Sequence, residues 1–394
     1  VTSHVFIVDD STLKVHLEHL FAGIGSREDS FQLIQHPPAI SRTARRVAGM
    51  ASDISRVASG DSVFFYLQQS RDSPGRFYGE FVAVGVPYGV AKGKMVAGAK
   101  LSKNLPLRVA IAPKTVFPRG VREDDFLDRL SDPRSGALLK PHTVPWTLIY
   151  RKLLGNRGCV AIRDQEADLL RLHLKATENN TPLESGSYTL NSEDSERRLS
   201  RVSPDSPIEP AGDSLDDRLE INLRPLYDLA KSNGNQRELF LQWLLIKGFL
   251  SGDGTLSSVT GNRELLWLGN EVRCGVGNRA IDLLIETAGD APTSRHLYVI
   301  ELKDDSPRDR HQRQVEKYIH WAIDHYLADE TYERLVPILI TTKNSTSIRS
   351  RPAWKPGQLG PFRRGEADYS AKVAPLLHFV VNDSDPGRIE LAST

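Results

Sequence analysis

Ala280-Ile281-Asp282-Leu283-Leu284-Ile285-Glu286 and His296-Leu297-Tyr298-Val299-Ile300-Glu301-Leu302-Lys303 decide how the C-terminal half of this chain reads. Each is an apolar run of strand length. Between them, Ala288-Gly289-Asp290-Ala291-Pro292 supplies the glycine, aspartate and proline of a turn. The two runs are therefore predicted to be the arms of a hairpin. Each arm carries a carboxylate among apolar neighbours, Asp282 in the first and Glu301 in the second. A charge so placed must face solvent, pair with a cation or bind a metal. Side chains alternate along a strand, so Glu301 and Lys303 share a face while Leu302 turns into the core. That grouping suits phosphodiester hydrolysis. Hard carboxylate oxygens hold magnesium, and an ammonium stabilises charge on the phosphorane or the attacking hydroxide.

Working outward, apolar residues Leu239, Phe240, Trp243, Leu244 and Phe249 recur at helical spacing and predict a helix over 237–249. Glu264 to Trp267 and Asn270 to Cys274 read as short strands, Arg310 to Tyr326 as a long helix, and Leu335 to Ile340 as a further strand. The order helix, strands, helix, strand predicts a mixed sheet flanked by helices.

In these residues the chain resembles the PD-(D/E)xK nuclease superfamily: an acidic residue, Asp282, then a hairpin, then Glu301-Leu302-Lys303. Ile281 stands where a proline often precedes the first aspartate. Glu-x-Lys alone is uninformative, since a surface Glu–Lys pair looks the same; the two apolar strands around it give it weight. Within the superfamily the chain is similar to the NucS-like branch of structure-selective and mismatch endonucleases. That likeness rests on Glu271-Val272-Arg273, Gly277-Asn278-Arg279-Ala280-Ile281-Asp282-Leu283-Leu284, Glu301-Leu302-Lys303 and Gln314-Val315-Glu316-Lys317-Tyr318. The resemblance implies Asp282, Glu301, Lys303, Glu271 and Gln314 as catalytic residues, with Asp282, Glu301 and Glu271 holding Mg2+, for which Mn2+ substitutes. It also implies a looser role for Glu238. Residues 235–342 carry the match. His311 and His320 lack a second ligand at suitable spacing and are assigned no role.

The N-terminal 1–175 stretch has a different texture. Val5 to Val8, Ser62 to Leu67, Phe77 to Val86 and Leu107 to Ile111 read as strands, and Leu13 to Leu20 as a helix capped by Ser11 or Thr12. Strands broken by turns, with few helices, predict a small curved sheet or barrel. Gly60-Asp61-Ser62-Val63 followed by Phe77-Tyr78-Gly79-Glu80-Phe81 is similar to the PUA-like group that includes EVE, ASCH and YTH domains. That resemblance implies a β-barrel with a pocket for a flipped or modified base. Its candidate walls are Tyr66, Tyr78, Tyr88 and Trp146, with Asp61 at the base edge. The alternative is that these aromatics are sheet core and Asp61 an ordinary turn residue.

Charge divides the chain in the same places: 25 basic against 17 acidic residues over 1–175, 3 against 8 over 176–215, and 23 against 25 over 216–394. A basic front half suits a polyanionic partner. The polar 176–217 stretch is predicted to be a linker. Arg349, Arg351 and Arg363, in a Pro/Gly-rich segment with Trp354 and Phe362, are candidates for gripping a phosphate backbone. Only Cys159 and Cys274 are present, which excludes a disulfide framework and suits a cytoplasmic setting. No apolar run has the ~20 residues of a membrane span.

The expected architecture is α/β in two α+β domains: a PUA-like small β-barrel over 1–175, a linker over 176–217, and a mixed-sheet, restriction-endonuclease-like nuclease fold over 218–394. The leading expectation is a homodimeric, metal-dependent DNA endonuclease that restricts DNA carrying modified cytosine. One alternative is a NucS-type mismatch or branched-DNA endonuclease. The other is a non-enzymatic nucleic-acid-binding protein with a degenerate nuclease fold.

Overall fold

A computed structural model describes residues 2–25, 31–70, 73–96, 99–128, 131, 135–138, 158–193, 196–202, 217–234, 237–253, 258–274, 279–327, 329–343, 357–382 and 390–393. The fold is mixed α/β, in two compact units, Val1–Leu229 and Ala230–Thr394. Among the described residues no helix is long and apolar enough to cross a membrane.

The first unit is built on one large mixed sheet. Its strands are β1 (Ser3–Val8), β2 (Phe21–Ile24), β3 (Ser62–Leu67), β4 (Arg76–Val90), β7 (Leu107–Pro113), β8 (Val121–Arg122), β9 (Cys159–Ile162) and β12 (Arg218–Leu219), with a separate hairpin of β5 (Met95–Val96) and β6 (Ala99–Lys100). The main path runs β2-β7-β4-β3-β1-β9, and β8 and β12 pair with β4. β1 and β3 are parallel, with Val5 opposite Phe64, whereas β9 pairs antiparallel on the other side of β1. All six residues of β3 are buried. A strand covered on both faces needs no alternation, and Ser-Val-Phe-Phe-Tyr-Leu shows none.

Helices α1 (Asp10–His19), α2 (Gln32–Gln35), α3 (Arg42–Ile54) and α4 (Asp164–Ala176) complete this unit. α1 is capped one turn earlier than its sequence suggests. Asp9 is the cap, and Thr12 returns the hydrogen bond from the third helical position. Among the described residues the expected small barrel is not closed: β2 and β9 end the strand order without pairing to each other.

Part of the stretch read as a linker is ordered. β10 (Tyr188–Leu190) and β11 (Leu199–Arg201) form an antiparallel hairpin whose Tyr188, Leu190 and Leu199 are buried. The Leu183 and Leu199 amides donate to the Val116 and Pro118 carbonyls. Asn180 exchanges hydrogen bonds with the Arg119 backbone. Three apolar side chains and these backbone bonds anchor a segment whose average composition is polar. Residues 203–216 lie outside the described ones.

The second unit holds α6 (Glu238–Ser251), α7 (Asp309–Ala322) and a six-stranded sheet in the order β13-β14-β15-β16-β19-β20. A shorter helix, α5 (Arg224–Ser232), runs across the division between the units. β13 (Leu265–Arg273), β14 (Ala280–Ala288) and β15 (Arg295–Lys303) form an antiparallel meander. β16 (Tyr332–Thr341) and β19 (Leu377–Asn382) continue it in parallel with β15, and β20 (Glu390–Ser393) closes the edge antiparallel. A further hairpin joins β17 (Arg363–Arg364) to β18 (Ala367–Asp368). His296 to Leu302 is buried throughout, and α7 packs against β15 and β16.

His16 is the most demanding residue in the first unit's core. It is fully buried, stacked on Phe65 with ring centroids 5.4 Å apart and edge-on to Phe21 at 4.8 Å. Neither ring nitrogen has a hydrogen-bond partner among the described residues. Burial, followed by the nearby Arg108 guanidinium, lowers its pKa from 6.5 to about 3. The folded protein therefore refuses a proton that the unfolded chain accepts below pH 6.5, so stability is full above that value and falls with acidification toward pH 3. His16→Phe is expected to remove about 2 kcal/mol of the stability lost between pH 7 and pH 5. Urea unfolding of both proteins at the two pH values measures this; parallel losses would refute it.

Candidate active site

β14 carries Asp282 and β15 carries Glu301 and Lys303, near the ends where the two strands part. Their ladder runs to Leu283 opposite Ile300, and one step further Asp282 would face Glu301. Instead of a ladder bond, the Leu302 amide donates to Asp282 Oδ2 at 2.7 Å. On the other side of β14, Asn270 pairs with Leu283 and Val272 with Ile281. That register sets Glu271 across from Asp282, so three carboxylates follow one another across three adjacent strands. Cross-strand neighbours of this kind have Cβ atoms about 4.5–5.5 Å apart.

Glu271 is held at φ 50°. An L-residue in that left-handed region costs roughly 1–2 kcal/mol, and such strain collects at functional sites. β13, expected as two short strands, is one strand whose register shifts between Leu265 and Trp267 and is unchanged on either side of Glu271.

The electrostatics are those of crowded carboxylates. Glu301 is 1% exposed, and neither of its oxygens meets a donor with hydrogen-bond geometry among the described residues. The Lys303 ammonium lies against its Oε1 and also donates to the Leu302 carbonyl at 2.8 Å. Burial, then the charge of Glu301, pushes the Asp282 carboxyl well above its usual range, with Glu271 adding to the shift and Lys303 opposing it. Burial likewise raises Glu301 in spite of Lys303. For Lys303 itself burial works against the charge, but Glu301, Asp282 and Glu238 outweigh it and raise the pKa. The surroundings feel the same field. Burial and Glu301 push the Cys274 thiol up to about 12 and raise the Tyr318 phenol.

Gln314 reaches this group through Tyr318. Its amide donates to the Tyr318 hydroxyl at 2.6 Å, which donates to the Ala280 carbonyl at 2.8 Å. Glu238, in the first turn of α6, accepts from the Asp304 amide at 3.1 Å. Arg237 grips the Asp304 carboxylate through its backbone amide at 2.9 Å and its Nε at 2.8 Å. The Thr342 hydroxyl adds a third bond at 2.8 Å. This clasp fixes the residue after Lys303.

Two buried amides were missed from sequence. Gln242 donates to the Asp282 carbonyl at 2.9 Å and accepts from Asn270 Nδ2 at 3.1 Å. The available signal was polar amides inside otherwise apolar segments.

The three carboxylates do not converge tightly. Among the described residues, the group whose ligand atoms all lie within 4.8 Å of one another is Asp290, His296 and Glu333, near the opposite end of β15.

The residues expected to bind nucleic acid fare differently. Tyr66, Tyr78 and Tyr88 are at most 5% exposed. The Tyr66 hydroxyl donates to Glu123, that of Tyr78 donates to the Arg197 carbonyl, and Arg218 covers the Tyr88 ring. These rings are core, and a base cannot stack on them as they stand. Asp61 is buried too, accepting from the Thr2 and Ala58 amides and bonded to His4. Arg363 is exposed and lies 3.6 Å from Asp368. Trp146, Arg349 and Arg351 are outside the described residues.

No protein-family profile matches the chain, and no curated protein does. Among solved structures, the crystal structure of a protein from Pseudomonas putida is similar over 44% of this chain and 99% of its own, at 16% identity and a TM-score of 0.25. A likeness of that size carries no argument.

The strain at Glu271 gives a test independent of chemistry. Glu271→Gly and Glu271→Ala both remove the carboxylate, but only glycine adopts φ 50° freely. Glu271→Gly is expected to be about 1 kcal/mol more stable than Glu271→Ala by urea unfolding. The reverse order would show that the backbone there is not strained.

Proposed function

We propose that this chain is a metal-dependent DNA endonuclease of the PD-(D/E)xK type, with its chemistry at Asp282, Glu301 and Lys303. The observation that carries this reading is the row of Glu271, Asp282 and Glu301 across β13, β14 and β15, with the Lys303 ammonium beside it. The helix–meander–helix–strand order of the second unit supports it.

The donor set fits magnesium. Its oxygens are hard carboxylate donors, Glu301 is buried with the Lys303 ammonium against one oxygen, and the charges of Glu301 and Glu271 repel that of Asp282. Magnesium needs only one or two carboxylates and keeps several waters, which suits ligands that do not converge tightly. Asp282 and Glu301 would hold it, with Glu271 as a further ligand; when bound it supplies Lewis-acid polarisation and an activated water.

The chain's own groups do the rest. Lys303, held between Glu301 and the Leu302 carbonyl, keeps a full positive charge where a phosphate gains negative charge. The Leu302 amide fixes one Asp282 oxygen, and Gln242 fixes the backbone beneath it. Gln314 and Tyr318 brace the start of β14.

The N-terminal unit is assigned the choice of substrate, with modified cytosine as the mark. Buried Tyr66, Tyr78 and Tyr88 do not serve as the reader's walls. Cleavage of both strands calls for two copies of the site, hence a homodimer.

Mg2+ or Mn2+ is expected to raise the melting temperature of the wild type but not of Asp282→Ala. Both Asp282→Ala and Glu301→Ala are expected to abolish cleavage of duplex DNA, and Lys303→Ala to slow it roughly 10²–10³-fold. Full activity in the two acidic variants would remove the assignment. A digest of DNAs with and without modified cytosines tests the second half of the reading: equal cutting of all substrates would reject a modification reader and leave the nuclease standing.

A further inference from the structure

The first unit contains a cavity of about 150 Å³ that the nuclease reading does not use, lined by Gly79, Glu80, Thr115, Phe117, Arg171, Leu174 and Lys175. It is built by a defect in the sheet. Val63 pairs with Phe81 and Phe65 with Tyr78, so Gly79 and Glu80 of β4 together stand opposite Phe64. Bulges of this kind re-aim a side chain. Gly79 sits at φ +130°, a conformation open to glycine, where a Cβ would meet the Val63 carbonyl at 3.2 Å.

Glu80, 4% exposed, carries a charge in a place that burial makes costly. It is fully engaged. Oε1 accepts from Ser62, Arg171 and Lys114, and Oε2 accepts from Arg171 Nε at 3.1 Å. The pair pins the Arg171 guanidinium 5.7 Å above the Phe64 ring. Glu80 thus acts as an internal counter-ion that positions cations and has little capacity left for a ligand's own donors.

The remaining surface has two characters. Phe117 and Leu174 are buried and apolar. Around them, Arg171 and Lys175 are positive, and Lys114 joins them through its 3.0 Å bond to Glu80. Asp168 takes one Arg171 amine, whereas exposed Lys175 has no ion-pair partner among the described residues. The mouth therefore carries an excess of positive charge over a small apolar floor.

We propose that this cavity binds a phosphomonoester or phosphodiester attached to a single ring, with the phosphate on Lys175, Arg171 and Lys114 and the ring on Phe117 and Leu174. Each half of the site matches one half of such a ligand. The volume lies below the ~300–1,000 Å³ of drug-sized pockets, which limits the ring portion to one. A free phosphorylated ring compound and a phosphorylated sugar ring within a DNA strand share this chemistry.

Phenyl phosphate is the probe, titrated into the full chain by calorimetry beside inorganic phosphate and phenol. Saturable one-to-one binding is expected, roughly tenfold or more tighter than either half alone. Lys175→Glu removes an exposed, unpaired cation without touching the core, and is expected to weaken phenyl phosphate roughly tenfold. Thr115→Trp, from a partly exposed position, is expected to fill the cavity and abolish binding. Displacement by deoxyribose 5-phosphate identifies a free ligand as the source, and displacement only by a short oligonucleotide identifies a strand. Equal binding of phenyl phosphate and phenol, or binding unchanged in both variants, overturns the proposal. Since Asp282→Ala leaves this cavity untouched, failure here and failure of the nuclease reading are separable.

Discussion

Three carboxylates on neighbouring strands of an apolar sheet repel one another, and the second unit is arranged around containing that repulsion. Asp282 and Glu301 are both pushed toward protonation by burial, and Asp282 also by the charge of Glu301. Lys303 compensates them directly. What keeps the group from relaxing is backbone: the Leu302 amide on Asp282, the amide pair Gln242 and Asn270 beneath it, and the Arg237–Asp304 clasp just past Lys303. These contacts tie α6 and three strands to one spot. Hydrogen bonds that are at least partly buried rigidify a site when every partner is present and destabilise it when one is missing.

The legibility of this unit from sequence followed the range of the interactions involved. Both arms of the central hairpin, its turn and the helix after it are local features, visible in apolar runs and turn residues. So was the shared face of Glu301 and Lys303, which needs only strand alternation. Glu271 opposite Asp282 was reachable only by resemblance, since register between β13 and β14 depends on pairing across the intervening loop. Its left-handed backbone had no local signal, because glutamate gives no hint of φ 50°. Gln242 and Asn270 were opaque for a related reason: a buried amide looks like a surface one until its partner is known.

In the first unit the limits were sharper. Aromatic, strand-rich segments were readable as strands, but not the order in which they pair. β1 lies between β3 and β9, partners about 60 and 155 residues away in sequence. Without that pairing, an open sheet and a barrel have the same local signature. Burial of Tyr66 and Tyr78 was hidden similarly, since alternation distinguishes two faces but does not say that both are covered. The hairpin at 188–201 shows composition misleading over a short range: three apolar side chains suffice to anchor a polar segment.

The same strand order governs how the first unit is made. During synthesis β1 is made before either of its neighbours, and the second of them, β9, ends at Ile162. At about 5–20 residues per second, β1 waits several seconds with one edge open after β3 has joined the other. An apolar strand with an unpaired edge is a template for pairing with another chain. Val5-Phe6-Ile7-Val8 is therefore a segment of the nascent protein that needs shielding, although in the finished fold Val5, Phe6 and Val8 are buried.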